Sequence, residues 1–184
     1  MPSVIRFDQF DGVQDEWRNI LPLCVMNNIF VTPWWQRVWW DHFGRDIELF
    51  ILLVHDSGEP IGIAPLMLKD DVVSFIGEGD LFDYHDFLVS KGNEFAFYDV
   101  VFDYLAQLDW RTMDLSSIPD GSPTLSYVTR VAESRGYDFT VQKEDVAPVV
   151  VLPTTWDDYQ GALPKKERHE LRRKLRRLDQ VSGV

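Results

Sequence analysis

The chain has 184 residues, 45% hydrophobic and 26% charged, a composition typical of a globular protein that excludes disordered and collagen-like chains. Its net charge of −12 at pH 7 and its single cysteine, Cys24, exclude a basic nucleic-acid-binding body, an internal disulfide and a cysteine-rich metal site. The N-terminus has no signal-peptide pattern, and the longest central apolar run, Leu49–Val54, is too short to span a membrane. We therefore expect a cytoplasmic protein without a membrane span.

The charge is divided unevenly along the chain. Residues 1–164 hold 10 Lys+Arg and 27 Asp+Glu, a balance of −17, whereas residues 165–184 hold 8 and 3, a balance of +5. Because an acidic body repels phosphates at long range, a polyanion would have to bind the C-terminal segment alone. Nucleic acid is therefore disfavoured as a partner.

The first half of the sequence predicts one strand, two helices and an antiparallel meander. A Thr N-cap, Pro33 in the first turn and Gly44 after the end define the second, aromatic-rich helix. Short polar turns between the next three β-like runs indicate antiparallel pairing. The predicted elements are the strand Ser3–Phe7, the helices Asp11–Cys24 and Thr32–Gly44, and the strands Ile47–His55, Pro60–Leu68 and Val72–Gly77.

The second half predicts alternating helices and strands, so we expect an α/β fold with a mixed (α+β) sheet. Ser122 and Pro123 begin a helix that ends at Gly136. The other predicted elements are the strand Tyr84–Val89, the helix Asn93–Leu108, and the strands Thr112–Ser116, Tyr137–Gln142 and Val146–Leu152.

Apolar residues at helical spacing predict the face of each helix that packs inward. The predicted inward residues are Trp17, Ile20, Leu21 and Cys24 in the first helix, Trp35, Val38, Trp39, His42 and Phe43 in the second, and Phe97, Val100, Val101, Tyr104, Leu105 and Leu108 in the third.

Six local segments occur in a family-like order: residues 30–35 with 39–44, 62–66, 75–77, 83–88, 114–116 and 163–174. Together with the element order, they resemble the GNAT acyltransferases, and within them a bacterial subgroup of acetyltransferases associated with cellulose or exopolysaccharide biosynthesis. Members of that subgroup usually carry two GNAT-like units in tandem. The resemblance implies a first unit over residues 1–153 and the opening helix of a second, missing unit over residues 154–184. The chain is therefore expected to be a fragment of a longer acyltransferase, inactive by itself.

The resemblance implies direct transfer of an acyl group from acetyl-CoA or another acyl-CoA to an amine or hydroxyl of a small molecule or saccharide precursor. GNAT enzymes hold CoA with an Arg/Gln-x-x-Gly-x-Gly/Ala loop at a helix N-terminus, where backbone N–H groups suit a pyrophosphate. No such loop is present, since Gly77-Glu78-Gly79 is followed by Asp80 and Val89–Asn93 has one glycine. The CoA site is therefore expected in the missing C-terminal domain, with the substrate between the two units.

The run Asp83-Tyr84-His85-Asp86 places two carboxylates, a phenol and an imidazole in four consecutive residues. Such groups orient a substrate amine or hydroxyl and accept its proton. The family resemblance favours Asp83, Tyr84 and Asp86 as catalytic residues and His85 as a substrate-binding residue. If the run is a strand, Asp83 and His85 face one way and Tyr84 and Asp86 the other. The alternative interpretation is a polar loop that enters an edge strand.

The C-terminal segment predicts a basic amphipathic helix with a stripe of leucines. That stripe consists of Leu171, Leu175 and Leu178. If the helix binds a phosphate-bearing substrate, the candidate side chains are Lys165, Arg168 and Arg172. The alternative is a docking helix whose leucines contact the missing domain and whose arginines offset the acidic body.

Several other interpretations stay open. A Fem-type aminoacyltransferase is also a tandem GNAT-like enzyme, although its tRNA substrate conflicts with the acidic body. A degenerate, non-catalytic GNAT-like adaptor would lack the cofactor residues too, and would dock on a partner through the C-terminal helix.

The tryptophans of the second helix can form a carbohydrate-stacking platform, although their spacing is more typical of a core. The isolated histidines have no metal-site spacing, so no metal is expected.

Overall fold

In a computed structural model, which describes residues 1–181, the chain divides into two compact units, Met1–Asp145 and Val146–Val184. The first unit is a mixed sheet with helices on both faces, which confirms the predicted α/β class. Its elements are β1 (Ser3–Phe7), α1 (Gln14–Ile20), α2 (Pro33–Phe43), β2 (Glu48–Asp56), β3 (Glu59–Lys69), β4 (Val72–Phe75), β5 (Leu88–Val89), α3 (Glu94–Leu105), β6 (Thr112–Asp114) and α4 (Pro123–Arg135). Through α4 this order follows the one that the GNAT resemblance implies, apart from the added two-residue β5, but the strand expected after α4 is not formed within the described residues.

The sheet has the strand order β1-β2-β3-β4-β6, with β5 paired to β3 outside that path. The β2/β3 and β3/β4 pairs are antiparallel, as the short turns predict; β1/β2 and β3/β5 are antiparallel too, whereas β4 and β6 are parallel. Since a parallel pair needs a crossover connection, the chain between β4 and β6 runs through β5 and α3. The only parallel pair described in the sheet therefore lies at its edge.

Alternation along β2 divides the core into two layers. Leu49, Ile51 and Leu53 pack with α1 and α2 on one face, and Phe50, Leu52 and Val54 pack with α3 and α4 on the other. The predicted inward face of α1 is confirmed, because its residues are all buried: Trp17, Ile20, Leu21 and Cys24. The predicted inward residues of α3 are buried or partly buried against the second layer.

The ends of α2 and α4 follow the predicted signals. Thr32 is the N-cap of α2 with Pro33 in its first turn, and Gly44 is its C-cap. The Ser122 side chain accepts a hydrogen bond from the Thr124 N–H at the start of α4, and Gly136 closes that helix with φ of 70°. A left-handed C-cap is where glycine avoids the strain that other residues carry.

The predicted inward face of α2 is wrong. The buried residues are Pro33, Gln36 and Trp39, whereas Val38 is 61% exposed. Apolar residues surround most of this helix, so their spacing does not define one face. The buried face of α2 carries Gln36 instead, whose Nε2 donates a hydrogen bond to the Phe30 carbonyl 3.2 Å away.

Three predicted strands are absent or shortened. The predicted strand Tyr84–Val89 is reduced to Leu88–Val89, because only these two residues pair with β3. Residues 137–142 and 146–152 form no strand in the described part of the chain, and their side chains are exposed. Strand propensity is realised only where a sheet edge pairs with the segment.

The second unit contains α5 (Trp156–Ala162) and α6 (Lys165–Val181). Thr155 caps α5 by accepting a hydrogen bond from the Asp158 N–H, 3.1 Å away. Within residues 1–181, no helix is long and apolar enough to cross a membrane. The same residues contain no cluster of His, Cys, Asp and Glu arranged to hold a metal.

Candidate functional site

The candidate site of the first unit lies where the parallel pair β4/β6 ends. The register runs from Val72 opposite Thr112 to Ser74 opposite Asp114. Beyond Ser74, the Ile76 N–H bonds the Pro65 carbonyl rather than β6. The carboxyl ends of parallel strands are where ligands bind in open α/β sheets. The predicted catalytic run, residues 83–86, lies at this end, in a loop that joins β4 to β5.

His85 fills the space at the ends of β4 and β6. Its backbone N–H donates a hydrogen bond to the Ser117 carbonyl, which follows β6, with a separation of 2.9 Å. Its imidazole ring is stacked between Phe75, at a centroid distance of 5.7 Å, and Phe82, at 4.6 Å. Only 2% of the residue is exposed. The crevice that a ligand would use is therefore occupied by the protein's own side chains.

Gly77 allows this close packing. Its φ is +132°, and a Cβ at this position would lie 2.6 Å from the Phe82 ring and 2.7 Å from His85 Nε2. A side chain here would be both strained and in collision with the stacked rings. Gly77 therefore serves the packing of His85 and does not cradle a phosphate.

The His85 imidazole is held neutral by its surroundings. Burial lowers its pKa to about 4, although the nearby Glu144 carboxylate and the carbonyls of Ser116 and Ile76 oppose this effect. Neither ring nitrogen forms a hydrogen bond of normal geometry within the described residues. At neutral pH the ring is therefore an uncharged, buried group with no contact to solvent.

Asp86 points into a different part of the interior. Its Oδ1 accepts hydrogen bonds from the Phe87 N–H, 2.8 Å away, and from the Thr124 hydroxyl in the first turn of α4. The Tyr98 hydroxyl on α3 lies 2.5 Å from Thr124 Oγ1 and donates to it, since the Thr124 proton is already engaged. This chain of groups joins the loop before β5 to α3 and α4.

The Asp86 carboxyl is hard to ionise. Burial raises its pKa to about 6, against the opposing effect of hydrogen bonds from Ser122, Thr124 and Phe87. Burial also raises the pKa of the Tyr98 phenol, so this hydroxyl stays protonated and acts as a donor. Asp86 is 1% exposed, and its carboxyl holds the loop before β5 against the first turn of α4.

The other two residues of the run lie at the surface. Asp83 is exposed, and Tyr84 is partly buried with its ring 6.2 Å from that of Phe30. Phe30 also contacts Trp35 and Phe82, so Tyr84 belongs to the edge of an aromatic cluster that reaches the surface. The structure thus separates the four predicted residues into an accessible pair, Asp83 and Tyr84, and a buried pair, His85 and Asp86.

The loop before α3 does not fit a CoA pyrophosphate either. The Gly92 N–H donates to the Glu94 carboxylate, 2.9 Å away. Asn93 Nδ2 donates to Ser90 Oγ, and Ser90 Oγ donates to the Ile61 carbonyl. The donors that a phosphate would need here are paired with protein groups, and one partner is itself an anion. The segment Ser90–Glu94 therefore does not fit a CoA pyrophosphate.

In the second unit, two of the three predicted ligand-binding side chains hold the helices together. Arg168 donates to the carbonyls of Gly161 and Leu163 at the end of α5, at 3.2 and 3.0 Å. Arg172 Nε donates to Gln160 Oε1, 2.9 Å away. Lys165 is exposed at the start of α6. These arginines satisfy the carbonyls and side chains at the turn between α5 and α6, a common role for cations at a helix C-terminus.

Sequence reasoning missed Phe82, Tyr98 and Thr124 as neighbours of the run. The pairing of Asp86 with Thr124 joins residues 38 positions apart, and no local spacing encodes such a contact. One usable signal was Ser122-Pro123, which fixes the start of α4 and hence the position of Thr124 in its first turn.

Three solved structures of acetyltransferases are similar to the chain, and each match covers 99% of the solved chain. They are AAC(6')-Iy in complex with a CoA bisubstrate analogue (13% identity, 82% of this chain, TM-score 0.42), a ribosomal-protein-alanine N-acetyltransferase from Brucella melitensis biovar Abortus (13%, 80%, 0.44) and an aminoglycoside acetyltransferase from an uncultured soil metagenomic sample (14%, 82%, 0.45). No protein-family model and no curated protein sequence matches the chain. With every TM-score below 0.5, these likenesses assign no family to it.

Proposed function

We propose that this chain is the N-terminal part of an acyl-CoA-dependent N- or O-acyltransferase, connected with bacterial exopolysaccharide or cellulose synthesis. Residues 1–153 would form the first GNAT-like unit, and residues 154–184 would open a second unit that binds acetyl-CoA or another acyl-CoA. The acceptor would be a small molecule or saccharide precursor held between the two units. Asp83 and Tyr84 would face that acceptor, because they are the accessible members of the run.

One observation carries the proposal: His85 and Phe82 fill the crevice at the ends of β4 and β6. The element order through α4 resembles that of the GNAT acyltransferases, and the crevice at the ends of β4 and β6 is filled by stacked rings. The Gly92 N–H before α3 is also paired with the Glu94 carboxylate, which supports an acyl-CoA site outside this unit. A chain of this kind would contribute a wall of a substrate cleft and leave acyl-CoA binding to its partner unit.

We expect the isolated chain to bind acetyl-CoA with a dissociation constant no lower than about 1 mM, which corresponds to only about 4 kcal/mol of binding free energy. Isothermal titration calorimetry with acetyl-CoA measures this directly, and an acetyltransferase with an intact glycine-rich loop serves as the positive control. A sub-micromolar dissociation constant for the chain would overturn the assignment of the cofactor site to another unit.

The coding sequence after the codon for Val184 provides the complementary test. An open frame of domain length that contains an Arg/Gln-x-x-Gly-x-Gly/Ala run between a strand and a helix supports the acyltransferase. A stop codon in an intact gene favours the second candidate function, a non-catalytic adaptor.

The exposed face of α6 is the observation that favours the adaptor. Leu171 and Leu175 are only partly buried on a helix rich in charged residues, so they offer a partner an apolar contact. The adaptor would lose partner binding when Leu171 and Leu175 are changed to Asp, while a pull-down with Lys165→Ala would be unchanged. In the acyltransferase, the same double change would instead reduce activity of the two-unit protein.

A further inference from the structure

A carboxylate of the chain itself is bound just beyond the carboxyl end of β6. Glu144 Oε2 accepts a hydrogen bond from the Ser117 N–H, 2.8 Å away, and the Ser117 hydroxyl lies at a longer 3.4 Å from the same oxygen. The pairing of β6 with β4 ends at Asp114, so the Ser117 N–H takes no part in the ladder. Ligands of open α/β sheets bind at the carboxyl ends of parallel strands. The Glu144 carboxylate therefore occupies a place where a ligand is expected.

A buried polar side chain without a partner lies close to this carboxylate. His85 is 2% exposed, and neither ring nitrogen forms a hydrogen bond of normal geometry with the part of the chain that the structure describes. Its backbone N–H donates to the Ser117 carbonyl, 2.9 Å away, and the Glu144 charge opposes the lowering of the His85 pKa by burial. Buried polar atoms without a partner are uncommon and occur where a water, an ion or a functional role explains them. The imidazole is thus a second indication of a ligand position beside Ser117.

The segment that carries Glu144 is weakly attached. Residues 138–143 follow α4, are exposed, and make no backbone hydrogen bond to any described residue. Glu144 is exposed as well, so water competes for its hydrogen bond to Ser117. A carboxylate tethered by a short flexible segment acts on its site at an effective concentration on the order of millimolar. A ligand of comparable or higher concentration can therefore displace it.

The surroundings of the carboxylate favour a ligand with a single negative charge. A Cβ on Gly79 would lie 3.9 Å from Glu144 Oε1, so the loop that carries this glycine borders the position. Glu78 and Asp80 flank Gly79, and both are exposed. No lysine or arginine within residues 1–181 forms an ion pair with Glu144. Because nearby carboxylates repel a doubly charged phosphate more strongly than a singly charged group, the position suits a monocarboxylate.

We propose that Ser117 is the centre of a binding site for a small monocarboxylate, and that Glu144 occupies this site as an internal competitor. The carboxylate of the ligand would accept the hydrogen bond of the Ser117 N–H in place of Glu144, and residues 137–144 would move away from the end of β6. The site goes beyond the acyltransferase proposal and is independent of it, since it requires neither acyl-CoA nor a transfer step.

Occupation of the site by Glu144 can be tested at the Ser117 amide by NMR on the full chain. Glu144→Ala removes the acceptor, so we expect exchange of this amide with solvent to become about tenfold faster. Glu133→Ala is the matched control, because Glu133 is also an exposed glutamate, on α4, and its loss changes the net charge equally. Circular dichroism checks that both variants stay folded. If Glu144→Ala leaves the exchange rate unchanged, Ser117 does not hold the carboxylate and the proposal fails.

Ligand binding can be tested by titration with sodium acetate, with the Ser117 amide shift as the readout. We expect the acetate dissociation constant of Glu144→Ala to be about tenfold lower than that of the wild type and of Glu133→Ala, since the tethered carboxylate no longer competes. Sodium chloride and sodium phosphate at equal ionic strength should leave the shift nearly unchanged. Equal acetate affinity in the three chains would overturn the proposal, and so would a response to chloride or phosphate as strong as the response to acetate.

Discussion

The adjacent buried residues His85 and Asp86 have opposite effects on how the free energy of unfolding changes with pH. Burial raises the Asp86 pKa from 3.8 to about 6, so between these values the folded state binds more protons than the unfolded state. Asp86 therefore makes the free energy of unfolding fall as the pH rises toward 6. Burial lowers the His85 pKa from 6.5 to about 4, so His85 makes the same free energy rise over this range. The two slopes oppose each other.

We expect the wild-type free energy of unfolding to change little between pH 4 and 6, while each single variant reveals one slope. His85→Phe should lose stability as the pH rises from 4 to 6, and Asp86→Asn should gain it, each by roughly 1 kcal/mol per pH unit. Urea unfolding at pH 4, 5 and 6 measures the three profiles. Asp83→Asn is the control, since Asp83 is exposed and should leave the wild-type profile unchanged. Parallel profiles for the two variants would contradict the pKa shifts of both groups.

At this scale, the sequence shows the run of polar residues 83–86 but not the environment of each side chain. The run Asp83-Tyr84-His85-Asp86 does lie at the carboxyl ends of the parallel strands. Its alternation as a strand was wrong, because His85 and Asp86 are both buried and contact different elements. His85 is buried because its ring stacks on Phe75, and Asp86 is buried because it accepts a hydrogen bond from the Thr124 hydroxyl on α4. Both are tertiary contacts, which the order of four consecutive residues cannot predict.

Among the elements, the hairpin of α5 and α6 is held by Arg168 and Arg172, and Arg168 makes the two contacts to backbone carbonyls. Arg168 donates to two carbonyls at the end of α5, so Arg168→Ala should speed hydrogen exchange in Trp156–Ala162 by about tenfold. Lys165→Ala, at an exposed position on the same helix, should leave exchange unchanged. Mass-spectrometric exchange on the two variants makes the comparison. If the two variants show equal hydrogen exchange in Trp156–Ala162, Arg168 does not stabilise the turn. Its side chain would then be a candidate for ligand binding.

Elements whose local signals agree with their surroundings were predictable. The helix from Pro33 to Phe43 has a cap, a first-turn proline and a final glycine, and its bounds match the structure. The strands of the meander follow from alternation and short turns. Residues 149–152 carry an equally strong strand signal but form no strand, because a strand also requires an edge to pair with, and no single-chain pattern shows whether one is available.

At the scale of the whole molecule, the charge of the chain opposes contact between its copies. Two copies with a formal charge of −12 each repel, and salt screens that repulsion. We expect the second virial coefficient to be positive at low salt and to fall between about 50 and 300 mM NaCl, over which the Debye length shortens from about 14 to 6 Å. Static light scattering measures it. A coefficient that rises with salt would instead show that the +5 segment, residues 165–184, attracts the acidic surface of another copy.

The reactivity of the single cysteine, Cys24, reports how often one part of the fold opens. Cys24 donates to the Ile20 carbonyl and forms an isolated bridge with Ser90, just after β5. Burial raises its pKa to about 12, so in the folded chain almost no thiolate exists to react with a disulfide reagent. Modification must wait until the contact between residues 21–24 and Ser90 opens. The rate at which a disulfide reagent modifies Cys24 therefore measures the rate of local opening at the end of β5. This measurement uses the native thiol and needs no added label.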